Sequence, residues 1–240
     1  MPIFSPVYVL SMGVITAYND AVMAIGPQNY YKFSETSGAT VVDSSGNGEN
    51  SVYVAGETLQ QPSLLPSGEG DSVRLSGSSS RITTPGNITG PSSLIGHSFG
   101  CWYQADSSSS VYALVGYNNQ APYFGFRLNE GGNNEIRAFV NTSGGLANLT
   151  YTHSDNTSPT FIMATSVQNG TLWLYVDGSP VASASVPNSP YNGAAGGTNN
   201  NIGAYRDNTG DFFAGLVDEF TIFNLELTAG EVLGLYNAAL

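Results

Sequence analysis

Short runs in which hydrophobic and polar residues alternate recur along most of the chain, and clusters of Gly, Asn, Ser and Pro separate them. Strand side chains repeat every two residues, so each run predicts a strand with one face turned inward. The pattern is sharpest in one stretch. Thr160–Val167 runs into Gln168-Asn169-Gly170, Leu172–Val176 runs into Asp177-Gly178, and Val181–Val186 completes a meander on tight hairpin turns. Ser98–Gln104 predicts a core strand with Phe99, Cys101 and Tyr103 on one face and Trp102 on the other. Trp102 and Trp173 both sit inside apolar runs and are expected in the core. Further strands are expected at Asn29–Phe33, Val73–Leu75, Arg81–Thr83, Val111–Gly116, Tyr123–Leu128, Glu135–Val140 and Asn199–Ala204. The stretches Gly48–Ser72 and Pro187–Thr198 read as long loops. No long helical period appears, which indicates an all-β sandwich or jelly roll.

The two ends of the chain break this pattern. Gly215–Phe223 alternates as a core strand except for an acidic pair, Asp218-Glu219, at its centre. Neighbouring strand residues point to opposite faces, so the two acids are expected on opposite sides of the sheet. An acid inside a core strand is costly unless something satisfies it. Beyond it, Thr228 with Glu231 makes a capping box, and Leu227 with Val232 a hydrophobic staple, for a short helix ending near Tyr236. At the other end, Met1–Ala17 is apolar and uncharged. It lacks the basic start of a signal peptide, and Pro2, Pro6 and Gly13 make it a poor membrane span. Tyr18–Ile25 reads as a short helix with Ala21, Val22 and Ile25 on one side, stopped by Gly26-Pro27. Residues 1–27 are therefore expected to form an anchoring arm and short helix, and residues 28–240 one domain.

Charge narrows the function classes. Six Lys and Arg stand against 18 Asp and Glu in 240 residues, a net charge of −12. Nucleic-acid binding needs clustered cations and is excluded on this count; an anionic membrane would repel the chain, so no membrane insertion is expected. Cys101 is the single cysteine, so no internal disulfide forms, and beside Trp102 it reads as a buried, inert thiol. His97 and His153 lie far apart with no nucleophile motif and read as loop or strand-edge residues.

Seven motifs in order carry a family resemblance. They are Tyr31-Lys32-Phe33-Ser34-Glu35 with Ser37-Gly38; Asp43-Ser44-Ser45-Gly46-Asn47-Gly48; Val73-Arg74-Leu75-Ser76-Gly77; and Ser98-Phe99-Gly100-Cys101-Trp102. Leu174-Tyr175-Val176-Asp177-Gly178, Phe213–Phe220 and Leu227–Tyr236 complete the series. The chain resembles a laminin-G-like, concanavalin A-like lectin/glucanase domain, which implies a jelly-roll sandwich of two antiparallel sheets. It departs from the family at Phe161, where a tryptophan is usual. The resemblance places the Asp43 turn near the Gly215–Glu219 strand and so implies a structural Ca2+ shared by Asp43, Asn47 and Asp218. The alternative is that Asp43 caps its own turn, while Asp218 or Glu219 accepts backbone hydrogen bonds or pairs with an arginine. A Tyr18–Val22 helix leading into such a domain looks similar to phage structural and tail-associated proteins.

The chemistry follows from these placements. Glycoside hydrolysis needs two carboxylates about 5 to 10 Å apart across the scissile bond, and acids on opposite faces of one strand do not meet that need. Glycan binding uses exposed aromatics beside amides, acids and guanidinium groups; the candidates are Tyr117, Asn119, Tyr123, Tyr191, Tyr205, Arg206 and Asp207. The alternative at each position is a tyrosine packed over the sandwich rim. The leading reading is a non-enzymatic virion structural protein, a capsid decoration or tail-associated protein. Residues 1–27 would join it to other virion proteins, with the lectin-like domain facing host polysaccharide, as a homo-oligomer on the virion surface. The alternatives are a secreted or cell-surface carbohydrate-binding module and a glucanase-type hydrolase.

Overall fold

The computed structural model describes residues 17–84, 96–116, 123–142, 144–187, 200–205 and 210–240. In chain order its elements are α1 (Tyr18–Ile25), β1 (Asn29–Tyr31), β2 (Thr40–Val41), β3 (Ser51–Val54), β4 (Thr58–Pro62) and β5 (Asp71–Ser76). They continue with β6 (Arg81–Thr84), β7 (Gly96–Ala105), β8 (Tyr112–Gly116), β9 (Tyr123–Leu128), β10 (Glu135–Thr142) and β11 (Gly145–Thr152). The chain closes with β12 (Thr160–Val167), β13 (Thr171–Val176), β14 (Ser179–Ser185), β15 (Asn200–Ile202), β16 (Ala214–Phe223) and α2 (Ala229–Ala238). Two eight-stranded antiparallel sheets form the sandwich. The first has the order β14-β13-β12-β7-β16-β5-β4, with β1 also on β16; the second is β11-β10-β9-β8-β15-β6-β3-β2.

The inner faces build the main core. In β7, Phe99, Cys101 and Tyr103 point into it, and Phe99 meets Phe124 and Phe126 of the opposite sheet. Trp102 points the other way, as its alternation predicts, and joins a second cluster on the outer face of the first sheet. That cluster is roofed by α1 and α2. Tyr18, Val22, Val232 and Leu235 pack there over Trp102, Phe161, Met163 and Tyr175, and Tyr236 stacks 5.9 Å from Trp102. The cap of α2 forms as the sequence predicts. Glu231 N donates to Thr228 Oγ1 at 3.3 Å, Thr228 N donates to Glu231 Oε2 at 2.7 Å, and Leu227 and Val232 are buried as the staple.

Several expectations change. Trp173 is 37% exposed, not core. Leu172 and Leu174 take the inward positions of β13, and the helical roof does not cover the residue between them. His97 lies inside β7 and is buried, not on a loop or strand edge. Its ring is 4.2 Å from that of Phe124, and burial pushes its pKa down to about 3. The stretch read as one long loop contains β3 and β4, and β11 follows Gly145. β4 is a polar, largely exposed edge strand, so no hydrophobic alternation announces it. Helix α1 has the expected bounds, but it docks on this same domain, with Tyr18 and Val22 fully buried and Tyr18 N bonded to Glu69 Oε2 at 3.0 Å. Residues 1–16 lie outside the described residues.

Candidate functional site

The acid pair is shaped by a backbone irregularity. Asp218 pairs with Trp102 and Thr221 with Gly100, so β16 holds one more residue than β7 at this point, a β-bulge. Glu219 takes the left-handed conformation there, with φ 53°. The extra residue cancels the alternation, and both carboxyl groups turn to the outer face of the first sheet. This corrects the expectation of opposite faces. Tyr30 Oη donates to Glu219 Oε2. Asp218 Oδ2 accepts from Leu64 N at 3.0 Å and Ser63 Oγ at 3.3 Å, while its Oδ1 is buried without a hydrogen-bond partner among the described residues. Tyr18, Leu64 and Leu65 close over the pair. Burial pushes Glu219 up to about 7; burial first, and the neighbouring Glu219 charge second, hold Asp218 well above its ordinary value. Both residues are buried, and that burial favours their protonated, hydrogen-bonded forms.

The expected calcium ligands serve other ends. Asp43 Oδ1 accepts from Tyr30 N and Ser45 N, both at 3.0 Å. Its Oδ2 accepts from Ser45 Oγ at 2.8 Å and Glu49 N at 3.0 Å. Asn47 Nδ2 donates to Gln28 O at 2.9 Å. Asp43 thus caps its own turn, and Asp218 faces Ser63 and Leu64 instead. The bridge from Asp43 to Tyr31 and the pairing of Tyr31 with Phe220 put β1 between the Asp43 turn and β16. Two strand spacings, about 10 Å, separate the two backbones. The donor set does not fit a shared hard cation, which needs six to eight oxygens with lone pairs to spare. Among the described residues no group of three or more His, Cys, Asp or Glu side chains is placed to hold a metal.

The outer face of the second sheet is built differently. Arg127 of β9 and Arg137 of β10 stand directly opposite each other. Like charges in that register repel unless a counterion lies between them. Glu130, on the turn that joins their strands, supplies it: Arg127 Nη1 donates to Glu130 Oε1 at 2.6 Å, and Arg137 Nη1 donates to Oε2. Arg127 Nη2 reaches Asp211 Oδ2 at 2.5 Å, and its guanidinium lies 4.4 Å from the centre of the Tyr205 ring. Arg137 sits 5.7 Å from the Phe139 ring, which lies across Gly125; a Cβ there would come within 2.7 Å of Phe139 Cζ. Below, Tyr103 Oη bonds Asn156 Oδ1 at 2.7 Å and Asn156 Nδ2 bonds Asn129 Oδ1 at 3.2 Å, fixing the β9–β10 turn from inside.

Of the predicted glycan residues, Tyr205 belongs to this platform. Its ring is half-buried, and its N donates to Gly210 O at 3.1 Å. The backbone of Tyr123 opens β9, four residues and about 13 Å from Arg127. Tyr117, Asn119, Tyr191, Arg206 and Asp207 lie outside the described residues. Arg127, Glu130, Arg137 and Asp211 were not singled out from the sequence. The signal was present in the hairpin Arg127-Leu128-Asn129-Glu130 to Glu135-Ile136-Arg137, whose symmetric spacing puts one acid between two arginines.

No curated protein matches the sequence. Among solved structures, the chain is similar to a botulinum neurotoxin serotype D binding domain, with a TM-score of 0.70 at 15% identity over 90% of this chain and 52% of that one. It is also similar to the serotype D ligand-binding domain in complex with N-acetylneuraminic acid, with a TM-score of 0.69 at 14% identity over 92% and 52%. A third is the neurotoxin DC binding domain in complex with rat synaptotagmin II, with a TM-score of 0.66 at 13% identity over 93% and 53%. The chain spans about half the length of these structures, and the likeness is one of fold. The sequence itself is more specific: residues 76–233 match the laminin-G-like family, and the chain belongs to the concanavalin A-like lectin/glucanases superfamily.

Proposed function

We propose that this chain is a non-enzymatic recognition module that binds glycan on the outer face of its second sheet, and that residues 1–16 anchor it to a virus particle. The observation that supports binding over hydrolysis is the enclosure of Asp218 and Glu219 beneath Tyr18, Leu64 and Leu65. The surface acid Glu130 and the partly buried Asp211 are committed to Arg127 and Arg137. Neither pair offers the free acid and free base that glycosidic cleavage requires. The Arg127–Tyr205 platform offers an aromatic ring, fixed donors and fixed acceptors instead. An ordered, paired platform of this kind loses little side-chain entropy when a sugar binds.

The anchor falls to residues 1–16 because α1 is already spent on the domain's own roof. Their apolar, uncharged sequence suits burial against other virion proteins, and a homo-oligomer would present several copies outward. Deleting residues 2–16 is expected to leave the fold intact and to abolish incorporation into particles; incorporation at wild-type occupancy would remove the anchor from the account. A secreted or cell-surface carbohydrate-binding module is the second reading. It is favoured by a structural neighbour solved with N-acetylneuraminic acid, and it keeps the binding surface while dropping the anchor. Hydrolysis of a β-glucan panel that is lost in Glu219→Gln would overturn both readings.

A further inference from the structure

A separate cleft of about 400 Å³ lies beside β1, lined by Lys32, Ser34, Glu35, Thr36, Val42 and Ser44. Its composition is unlike the rest of the surface, because Lys32 is the chain's only lysine. Among the described residues its ammonium makes no ion pair, and its hydrogen-bond partner is the Asn19 side chain at 3.4 Å. The neighbouring acid is occupied and fixed: Glu35 Oε1 accepts from Val42 N at 2.8 Å, and Oε2 accepts from Tyr53 Oη at 2.7 Å. The backbone is bent for this arrangement. Phe33 is held at φ 56°, a conformation that costs a non-glycine residue energy. It drives its ring into the core, while Lys32 and Ser34 stay on the cleft.

We infer that this cleft is a binding site for a carboxylated sugar residue, distinct from the Arg127–Tyr205 platform. Lys32 Nζ would take the carboxylate as a charge-assisted hydrogen bond. The hydroxyls of Ser34, Thr36 and Ser44 would exchange hydrogen bonds with ring hydroxyls, and the half-exposed Val42 would meet a C–H face. A cleft of this size falls in the range of small-molecule sites. Charge selects among ligands. The Lys32 ammonium, whose charge also acts on the buried Glu219, attracts a single carboxylate, whereas a phosphate dianion would bring a second charge toward Glu35.

The test is saturation-transfer NMR on the full chain with D-glucuronate as probe, and with methyl glucoside and inorganic phosphate as controls. Saturable glucuronate binding is expected, about tenfold stronger than methyl glucoside. Lys32→Gln should reduce it about tenfold in a chain that remains folded by circular dichroism. Ser44→Ala, which keeps every charge, should weaken it about threefold, the scale of one neutral hydrogen bond at an open site. Tyr205→Ala should leave it unchanged, since that residue belongs to the other surface. Absence of saturable binding, wild-type affinity in Lys32→Gln, or phosphate binding as tightly as glucuronate would each overturn the assignment.

Discussion

The two outer faces of the sandwich handle charge in opposite ways. On the first sheet, two acids lie beneath a helical roof with no salt bridge to a cation among the described residues, and burial raises their pKa values and favours the protonated forms. On the second sheet, two acids share two arginines at the surface and are satisfied as ions. The difference is water. Removing a carboxylate from water costs several kcal/mol, which a hydroxyl and a few amide donors offset only in part; at a half-exposed site the guanidinium fork and the solvent together suffice. A closed face can therefore carry acids as scaffold, whereas an open face can carry them as recognition groups.

Breaking the roof should produce the largest effect. Trp102→Ala removes the side chain on which Phe161 and Tyr236 pack. It is expected to cost about 3–5 kcal/mol in denaturant unfolding. Trp173→Ala, on the same sheet but outside the roof, should change stability by no more than about 0.5 kcal/mol. A pair of equal losses would mean that the roof does not divide the sheet in this way.

The next effect is a pH dependence of unusual sign. Glu219 holds its proton to about 7 in the folded state against an ordinary value of 4.5, so its stabilisation is complete below 4.5 and is lost as pH rises through 7. His97 runs the other way. Its folded value of about 3 lies below the ordinary 6.5, so stability falls as the pH drops below 6.5. Between pH 4.5 and 6.5 the two have opposite signs, and Asp218, also held well above its ordinary value by burial, acts in the same direction as Glu219. Glu219→Gln keeps an acceptor for Tyr30 and removes one arm of the balance. Above pH 7 the variant should be about 3 kcal/mol more stable than wild type, an advantage that shrinks as the pH falls toward 4.5. Urea titrations at several pH values measure both. A Glu219→Gln chain less stable than wild type at pH 8 would show that the acid is ionised and satisfied in the fold.

Smaller effects belong to the open face. Arg127→Met leaves Glu130 with Arg137 alone and Asp211 without its partner. It should cost about 1 kcal/mol, and less in high salt, since the network is partly exposed. The smallest expected change comes from chelation. With Asp43 bonded to its own turn, EDTA should leave the melting temperature where it was; a drop of several degrees would restore a calcium site.

The strands that alternate cleanly were legible in the sequence. β9 and β12 have the expected bounds, as does α1, and the Thr228–Glu231 cap forms as written. What was hidden has a common cause. Periodicity reports which face a residue occupies only while the period holds, and the bulge at Asp218–Glu219 changes it by one residue. Trp173 shows the reverse case: the period was right, but hydrophobicity alone does not say whether the outer face has a roof. β4 and β11 carry weak patterns because one or both of their faces meet water. The Arg127–Glu130–Arg137 platform depends on cross-strand register, which the hairpin spacing contained but residue type did not advertise.

The most direct test of the central claim, that the open face recognises glycan while the closed acid pair is scaffold, is a glycan-array comparison of wild type, Tyr205→Ala and Glu219→Gln. Tyr205→Ala should lose at least tenfold in affinity for whichever glycan the wild type binds on this face, a loss of about 1.4 kcal/mol, while Glu219→Gln should bind as wild type does. Binding that survives Tyr205→Ala and disappears in Glu219→Gln would contradict the claim.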